Sequence, residues 1–235
     1  MSCGNRACPF HELRETAEGL DDPAHPCLVE DTVKQVRFDA GERLFAEGEP
    51  STALFSLSSG IVKITCNTTC GREQIVGLAN PGNLLVGLQS INDDRYEYSA
   101  VAETRVVACR IRHHSLLRAA ADHGDLAMRL LNAMNAQLAH SRELMRVMGH
   151  KCSAAKIASL ITLIIPESER ARQRFTLPFS RGDMANLLGL TEETVCRQMA
   201  KMKRLGILYA PRGRIEILDW DGLRAMANET AREVA

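Results

Sequence analysis

Along residues 34–112 apolar positions recur in short runs with the period of two that a half-buried strand requires, and glycine punctuates them. VRFDAGERLF, TALFSLSSGIVKITC, REQIVGLANPGNLLVG and EYSAVAETRVVACRIR each predict strands or hairpins, with Gly41, Gly48, Gly60, Gly71, Gly77, Gly82 and Gly87 at the turns. The spacing predicts a compact β-barrel or jelly roll. From residue 114 the period lengthens. Leu131, Met134, Leu138, Ser141, Met145 and Met148 step by threes and fours in a heptad-like seam that contains no acid. One helix is therefore expected over 114–148. It could pack only on its own barrel, but the seam runs past what one small barrel would cover, which favours pairing with a second copy.

A third pattern begins near residue 152. An apolar helix runs from Ala154 to Ile165 and is stopped by Pro166. Residues 180–208, SRGDMANLLGLTEETVCRQMAKMKRLGIL, then read as a helix-turn-helix. Ser180 is a good N-cap, Arg181-Gly182-Asp183 fill the first turn, and Met184, Leu187 and Leu188 form the apolar stripe. Gly189 is placed for a left-handed turn. Thr191 caps a second helix, carried by Thr194 to Leu205, whose inner face holds Val195, Met199, Met202 and Leu205. Its outer face starts with Glu192, Glu193, Cys196 and Arg197. Glutamate can accept from cytosine N4, and arginine can fork onto guanine O6 and N7. Both lie at the helix start, where a recognition helix touches bases. A small β-wing follows, Ile207-Leu208-Tyr209 and Ile215–Leu218, with a turn at Pro211–Gly213. The alternative is an ordinary surface helical hairpin with a solvated charged face.

Charge matters only locally. The 235 residues carry a formal net charge of zero, which says little about a nucleic-acid partner. Yet Arg197, Lys201, Lys203, Arg204, Arg212 and Arg214 cluster over 197–214 with no acid until Glu216, a stripe suited to phosphates. No apolar run is long enough for a transmembrane helix, and MSCGNRACPFHEL has no apolar core of a secretory signal, so a cytoplasmic protein with no membrane partner is expected. No Ser/His/Asp grouping, phosphate-binding glycine loop before a helix, or HExxH motif is present, so an enzyme is not expected.

Roll, long helix and winged helix-turn-helix in that order resemble the Crp/Fnr family of bacterial transcription regulators. The motifs that carry the resemblance are GERLFAEGEP (41–50), LFSLSSGIVKI (54–64), GREQIVGLANPGNLLVG (71–87) and RGDMANLLGLTEETVCR (181–197). The resemblance implies an α+β fold of four parts: a cysteine-bearing segment 1–33, a cyclic-nucleotide-binding-like β-roll 34–113, a dimerisation helix 114–150 and a winged helix-turn-helix 151–235. It also implies a homodimeric activator on a palindromic duplex operator, with RNA polymerase as a partner. Glu193 and Arg197 stand where the family's base-reading pair occurs, with Ser180, Arg181, Thr191, Glu192, Cys196, Lys201 and Arg212 as further DNA contacts. The dimer interface would run through Leu131, Met134, Leu138, Ser141 and Met145. Position 196 is serine in the fumarate-nitrate branch and glycine in the cAMP branch, but cysteine here. Position 192 lacks the arginine of the cAMP branch.

The signal is read from two features. A cyclic-nucleotide pocket in this fold needs Gly-Glu for the ribose and Arg-Ser for the phosphate. Residues 82–99 lack both: Arg95 precedes Tyr96, and Asp93 and Asp94 would repel a phosphate, so no cAMP is expected. The chain has eight cysteines: Cys3, Cys8, Cys27, Cys66, Cys70, Cys109, Cys152 and Cys196. In an intracellular protein so many thiols suggest ligands or redox sensors. The oxygen-sensing branch closes a [4Fe–4S] cluster with three N-terminal cysteines and one roll cysteine placed two residues before isoleucine, as Cys109 is before Ile111. The resemblance thus implies Cys3, Cys8, Cys27 and Cys109 as ligands. The gap from Cys8 to Cys27 exceeds the family's pattern. Cys27 could loop back, His11 or His25 could replace it, or there is no cluster. A haem- or NO-sensing member and a metal-free thiol switch are the alternatives. Cys66 and Cys70 flank a hairpin turn and could form a reversible disulfide or be plain tip residues. Cys152 marks a hinge, and oxidation of Cys196 would weaken DNA binding. His113 and His114 are expected at a solvated helix start.

Overall fold

The computed structural model describes residues 33–228, apart from 70, 72, 82–84, 91–92, 123, 166–173, 177–179 and 211–213. The chain divides into two compact units, one up to His140 and one from Ser141. The architecture is α+β.

Each of the four runs read as strands or hairpins contributes two strands to the first unit. They are β1 (Val33–Phe38) and β2 (Arg43–Phe45), β3 (Ala53–Ser59) and β4 (Val62–Asn67), β5 (Glu73–Ala79) and β6 (Leu85–Val86), and β7 (Ser99–Ala102) and β8 (Val106–Arg112). They form two antiparallel four-stranded sheets, ordered β1-β8-β3-β6 and β2-β7-β4-β5. Alternation decides which side chains meet. Phe55 and Leu57 of β3, with Val106 and Ala108 of β8, join Val62 and Ile64 of β4 in the roll's core. Their neighbours Leu54 and Ile111 belong instead to a second cluster with Leu88, Leu116, Leu126 and Leu130. Gly60 closes the β3–β4 turn with φ +87°, and a β-carbon there would collide with the Arg105 carbonyl, so only glycine fits.

The segment expected to be helical is described in two spans, α1 (His113–Asp122) and α2 (Gly124–Gly149), with residue 123 outside the described residues. Leu116 of α1 and Leu126 and Leu130 of α2 cover Leu54 and Ile111 on the roll. Farther along α2 a line of large apolar side chains stays exposed: Leu131 52%, Met134 51%, Leu138 48% and Met145 61%.

The second unit is built on α3 (Ser153–Ile164), where Ala154, Ala155, Ile157, Ala158, Leu160 and Ile161 are all buried. It packs against α4 (Arg181–Leu188), α5 (Glu192–Arg204) and α6 (Trp220–Ala227). The wing is a three-stranded sheet in the order β10 (Leu208–Tyr209), β11 (Arg214–Ile217), β9 (Arg174–Thr176). Strand β9 was not expected from the sequence. None of the described helices is long and apolar enough to cross a membrane.

His113 departs from expectation. His114 is exposed, but His113, the first residue of α1, is only 5% exposed. Its backbone N–H donates to the Thr52 carbonyl, which seats the ring under the roll's edge, edge-on to Tyr96 with an interplanar angle of 69°. Ser51 Oγ donates its one hydrogen to the Ser90 carbonyl at 2.6 Å, so at the 3.4 Å contact with His113 Nδ1 the imidazole is the donor. Nε2 is buried with no partner among the described residues. Burial holds the His113 pKa below the ordinary histidine value, against the opposing effect of the Ser51 backbone contact. The folded protein therefore favours neutral His113. The stability this gives is complete above the unfolded value of 6.5 and is lost as pH falls from there through the folded pKa. His113→Asn keeps an N–H for Ser51 and cannot titrate. We expect its melting temperature to fall less than that of the wild type between pH 7.5 and pH 5. Equal falls in circular-dichroism melts would contradict this account of His113.

A candidate nucleic-acid interface

The second helix of the bihelical unit is positioned from below. Val195, Met199 and Met202, spaced four and three apart, are buried, and they fix the rotation of α5 about its axis. The opposite face then carries Glu193, Arg197 and Lys201, and Glu192 and Cys196 are also exposed along the first turns of the helix. Leu205 is a correction. It was expected on the inner face but is 57% exposed, because it is the C-cap of α5, where the chain turns off the helix through Gly206 at φ +70°.

Both helix starts are capped as expected. Thr191 Oγ1 accepts from the Thr194 N–H at 3.2 Å. Ser180 Oγ accepts from the Asp183 N–H at 3.0 Å, and Asp183 Oδ2 accepts from the Ser180 N–H at 3.1 Å. This second bond completes a reciprocal capping box, a role of Asp183 that the sequence reading missed although the Ser-x-x-Asp spacing signals it. Gly189 ends α4 in the left-handed conformation at φ 63°, ψ 40°. Lys156 of α3 donates to the Leu188 carbonyl at 3.1 Å and so satisfies the last turn of α4. Caps, turn and lysine together hold the α4–α5 corner rigid.

Charge along α5 is polar in the electrostatic sense. Glu192 and Glu193 lie in its first turn and Lys201, Lys203 and Arg204 in its last. The order suits the helix macrodipole and alone would explain an isolated charged helix. Ser180 is exposed and Arg181 half-buried at the start of α4, on the corner next to the first turn of α5. Lys203 also reaches over the Tyr209 ring of the wing, 5.2 Å from its centre, a contact that ties α5 to β10. Arg212 lies outside the described residues.

The candidate sensor residues are only partly brought into view. Cys109 of β8 is 3% exposed, opposite Gln35 of β1 and Ser56 of β3. Cys3, Cys8, Cys27, His11, His25 and Cys70 lie outside the described residues. Among the described residues no group of three or more His, Cys, Asp or Glu is placed to hold a metal ion. Cys66 is half-buried on β4, Cys152 half-buried before α3, and Cys196 exposed.

The roll interior is aromatic. Tyr96 stacks on Phe45 with ring centres 3.8 Å apart, and Phe55 and Tyr98 close around Phe45 at 6.0 and 5.6 Å. Tyr96 Oη accepts from the Ala53 N–H at 3.1 Å and donates to the Ala53 carbonyl. Tyr98 Oη accepts from the Gly87 N–H at 3.1 Å, and burial pushes its pKa far above the ordinary phenol value. The Arg95 guanidinium donates to the Gly48 carbonyl.

Residues 35–123 match the model of the cyclic nucleotide-binding domain, and residues 155–226 match the Crp-like helix-turn-helix domain. The chain is 32% identical to the transcriptional activator protein FnrA of Stutzerimonas stutzeri, over 85% of this chain and 83% of that protein. It is 31% identical to the transcriptional activator protein anr of Pseudomonas aeruginosa, over 92% of this chain and 87% of that protein. Among solved structures it resembles FixK2 from Bradyrhizobium japonicum, with a TM-score of 0.72 and 25% identity, over 83% of this chain and 96% of that one.

Proposed function

Because the chain belongs to the Crp/Fnr family of DNA-binding transcription regulators, close to its FNR, Anr and FixK members, we propose that it is a homodimer that reads a two-fold symmetric operator. The protein is a transcription regulator and not an enzyme. The observation that carries the finer reading is the orientation of α5. Burial of Val195, Met199 and Met202 turns Glu193 and Arg197 outward at the start of a capped helix. That is the placement from which a recognition helix reaches base edges. Lys201 and, with the wing, Arg212 would contact phosphates, and Ser180, Arg181 and Thr191 would seat the corner on the backbone. By analogy with activators among the relatives, RNA polymerase is the expected protein partner.

The exposed line Leu131, Met134, Leu138 and Met145 on α2 supports dimerisation, since a soluble monomer rarely leaves so regular an apolar stripe in water. Ser141 is exposed on the same line and would allow close approach of two helices.

For the signal we favour an oxygen- or redox-labile [4Fe–4S] cluster. When bound, such a cluster supplies a prosthetic group whose integrity depends on oxidants. Cys109 fits one corner: it is a buried thiol on β8 that shares the strand parity of Ile111. Its register neighbours Gln35 and Ser56 are not cluster ligands, so the other thiolates must come from elsewhere in the chain, with Cys3, Cys8 and Cys27 as the candidates. Cyclic AMP is not expected. Phe45, stacked on Tyr96 and edge-on to Tyr98, occupies the roll interior with them, and Arg95 is engaged by a backbone carbonyl instead of standing ready for a phosphate.

Three outcomes are expected. Arg197→Ala should weaken operator binding by about 1–3 kcal/mol and relax preference at one G·C pair of each half-site. Fluorescence anisotropy over a panel of half-site duplexes measures this, and an equal loss on every sequence would make Arg197 a phosphate contact only. Leu138→Glu should give monomers in sedimentation velocity, because two unpaired carboxylates would be desolvated across the two-fold axis at a cost of several kcal/mol. A variant that stays dimeric would place the interface elsewhere. Finally, anaerobically purified wild type should contain iron and acid-labile sulfide, and Cys109→Ser should lose both. Iron-free wild type would favour the thiol switch, and a sharp Soret band would favour haem.

A further inference from the structure

The fold divides the nine methionines of the chain by accessibility. Met1 lies outside the described residues. Met184, Met199, Met202 and Met226, on α4, α5 and α6, are buried. Met128, Met134, Met145 and Met148, all on α2, are exposed. Three of these four belong to the apolar stripe: Met134, Met145 and Met148 step with Leu131, Leu138 and Ser141 by threes and fours. At about 100° of turn per residue those six positions fall within roughly a third of the helix circumference, and Met128 falls outside it. Of the apolar side chains on the stripe, only the methionines carry an atom that a mild oxidant converts from apolar to polar.

We propose that Met134, Met145 and Met148 form an oxidative modification site, at which conversion of their thioethers to sulfoxides by a peroxide prevents two α2 helices from pairing. The inference rests on α2 being the pairing helix. The thioether sulfur attacks one peroxide oxygen, an S–O bond forms and the O–O bond breaks. With hydrogen peroxide, the proton on the transferred oxygen passes through solvent to the departing hydroxide. One sulfoxide and one water result, the sulfur having given up the two electrons that the peroxide takes. The target is the separated protomer, in which the three side chains stand in water; pairing covers them. Each sulfoxide then sets a strong acceptor where the partner offers apolar surface, and a buried acceptor without a donor is costly. Two-fold symmetry presents every lesion twice, and Ser141 is the single hydroxyl on each stripe to meet three sulfoxides. Burial of Met184, Met199 and Met202 keeps the same chemistry from the floor of α5, so oxidation acts on pairing and spares the reading surface. Methionine sulfoxide reductases reverse the change.

The test compares full-length wild type, Met128→Leu and a triple variant, Met134→Leu with Met145→Leu and Met148→Leu, with circular-dichroism melts to establish folding. Leucine keeps the volume and apolarity of methionine and lacks its sulfur. Each protein is diluted below its dimer dissociation constant, treated with hydrogen peroxide, and then reduced with dithiothreitol to restore oxidised thiols. Peptide mass spectrometry locates the added oxygen, and sedimentation velocity measures association. We expect the four α2 methionines to be oxidised about tenfold faster than Met184, Met199 and Met202. The dissociation constants of treated wild type and treated Met128→Leu should exceed that of the treated triple variant by on the order of tenfold or more. Comparison with the treated triple variant removes whatever peroxide does elsewhere in the chain. Met145→Gln, whose amide imitates the polarity of a sulfoxide, should weaken the dimer with no oxidant present. Equal dissociation constants for treated wild type and treated triple variant, no preference for the α2 methionines, or a Met145→Gln dimer as tight as wild type would each overturn the modification site while leaving α2 as the pairing helix. An untreated wild type that does not dimerise overturns the pairing reading and this inference with it.

Discussion

The recognition surface depends on one packing constraint, the burial of Val195, Met199 and Met202 beneath α5. Each such side chain contributes roughly 1.5–3 kcal/mol when removed from water, enough together to set the helix's rotation against any preference of its charged residues. Once that face is down, Glu193 and Arg197 have only one direction left. The floor they rest on is α3, whose Ile157, Leu160 and Ile161 are buried from solvent on an almost wholly apolar helix. The left-handed Gly189 and the Lys156 bond to the Leu188 carbonyl then fix the angle at which α4 hands the chain to α5. Substitution at any of these supports would act on DNA recognition without touching DNA.

The roll shows the same logic in a different form. Alternation along β3 and β8 sends Phe55, Leu57, Val106 and Ala108 to the roll's core and Leu54 and Ile111 to the helices. Cys109 shares the parity of Ile111 and is opposite in parity to Val106 and Ala108 of the roll's core.

Much of this was legible before any coordinates. Strand runs, caps, the Gly189 turn and the inner face of α5 are local patterns, and local physics decides them. What was not legible depends on distant partners. Strand β9, Arg174–Thr176, is too short to show a period and exists because it pairs with β11. His113 looks solvent-facing from its neighbours, and its burial follows from α1 folding back under the roll edge, where Thr52 and Ser51 receive it. Leu205 continues the spacing of Met199 and Met202 but falls at the point where Gly206 bends the chain away, so periodicity overran the helix end.

The central claim is that a pair of α5 helices reads DNA across a two-fold axis. Hydroxyl-radical footprinting of full-length protein on its selected operator tests it most directly. The account predicts two protected blocks on one face of the duplex, about one helical turn apart and symmetric about a centre. A single protected block, or protection without symmetry, would contradict it.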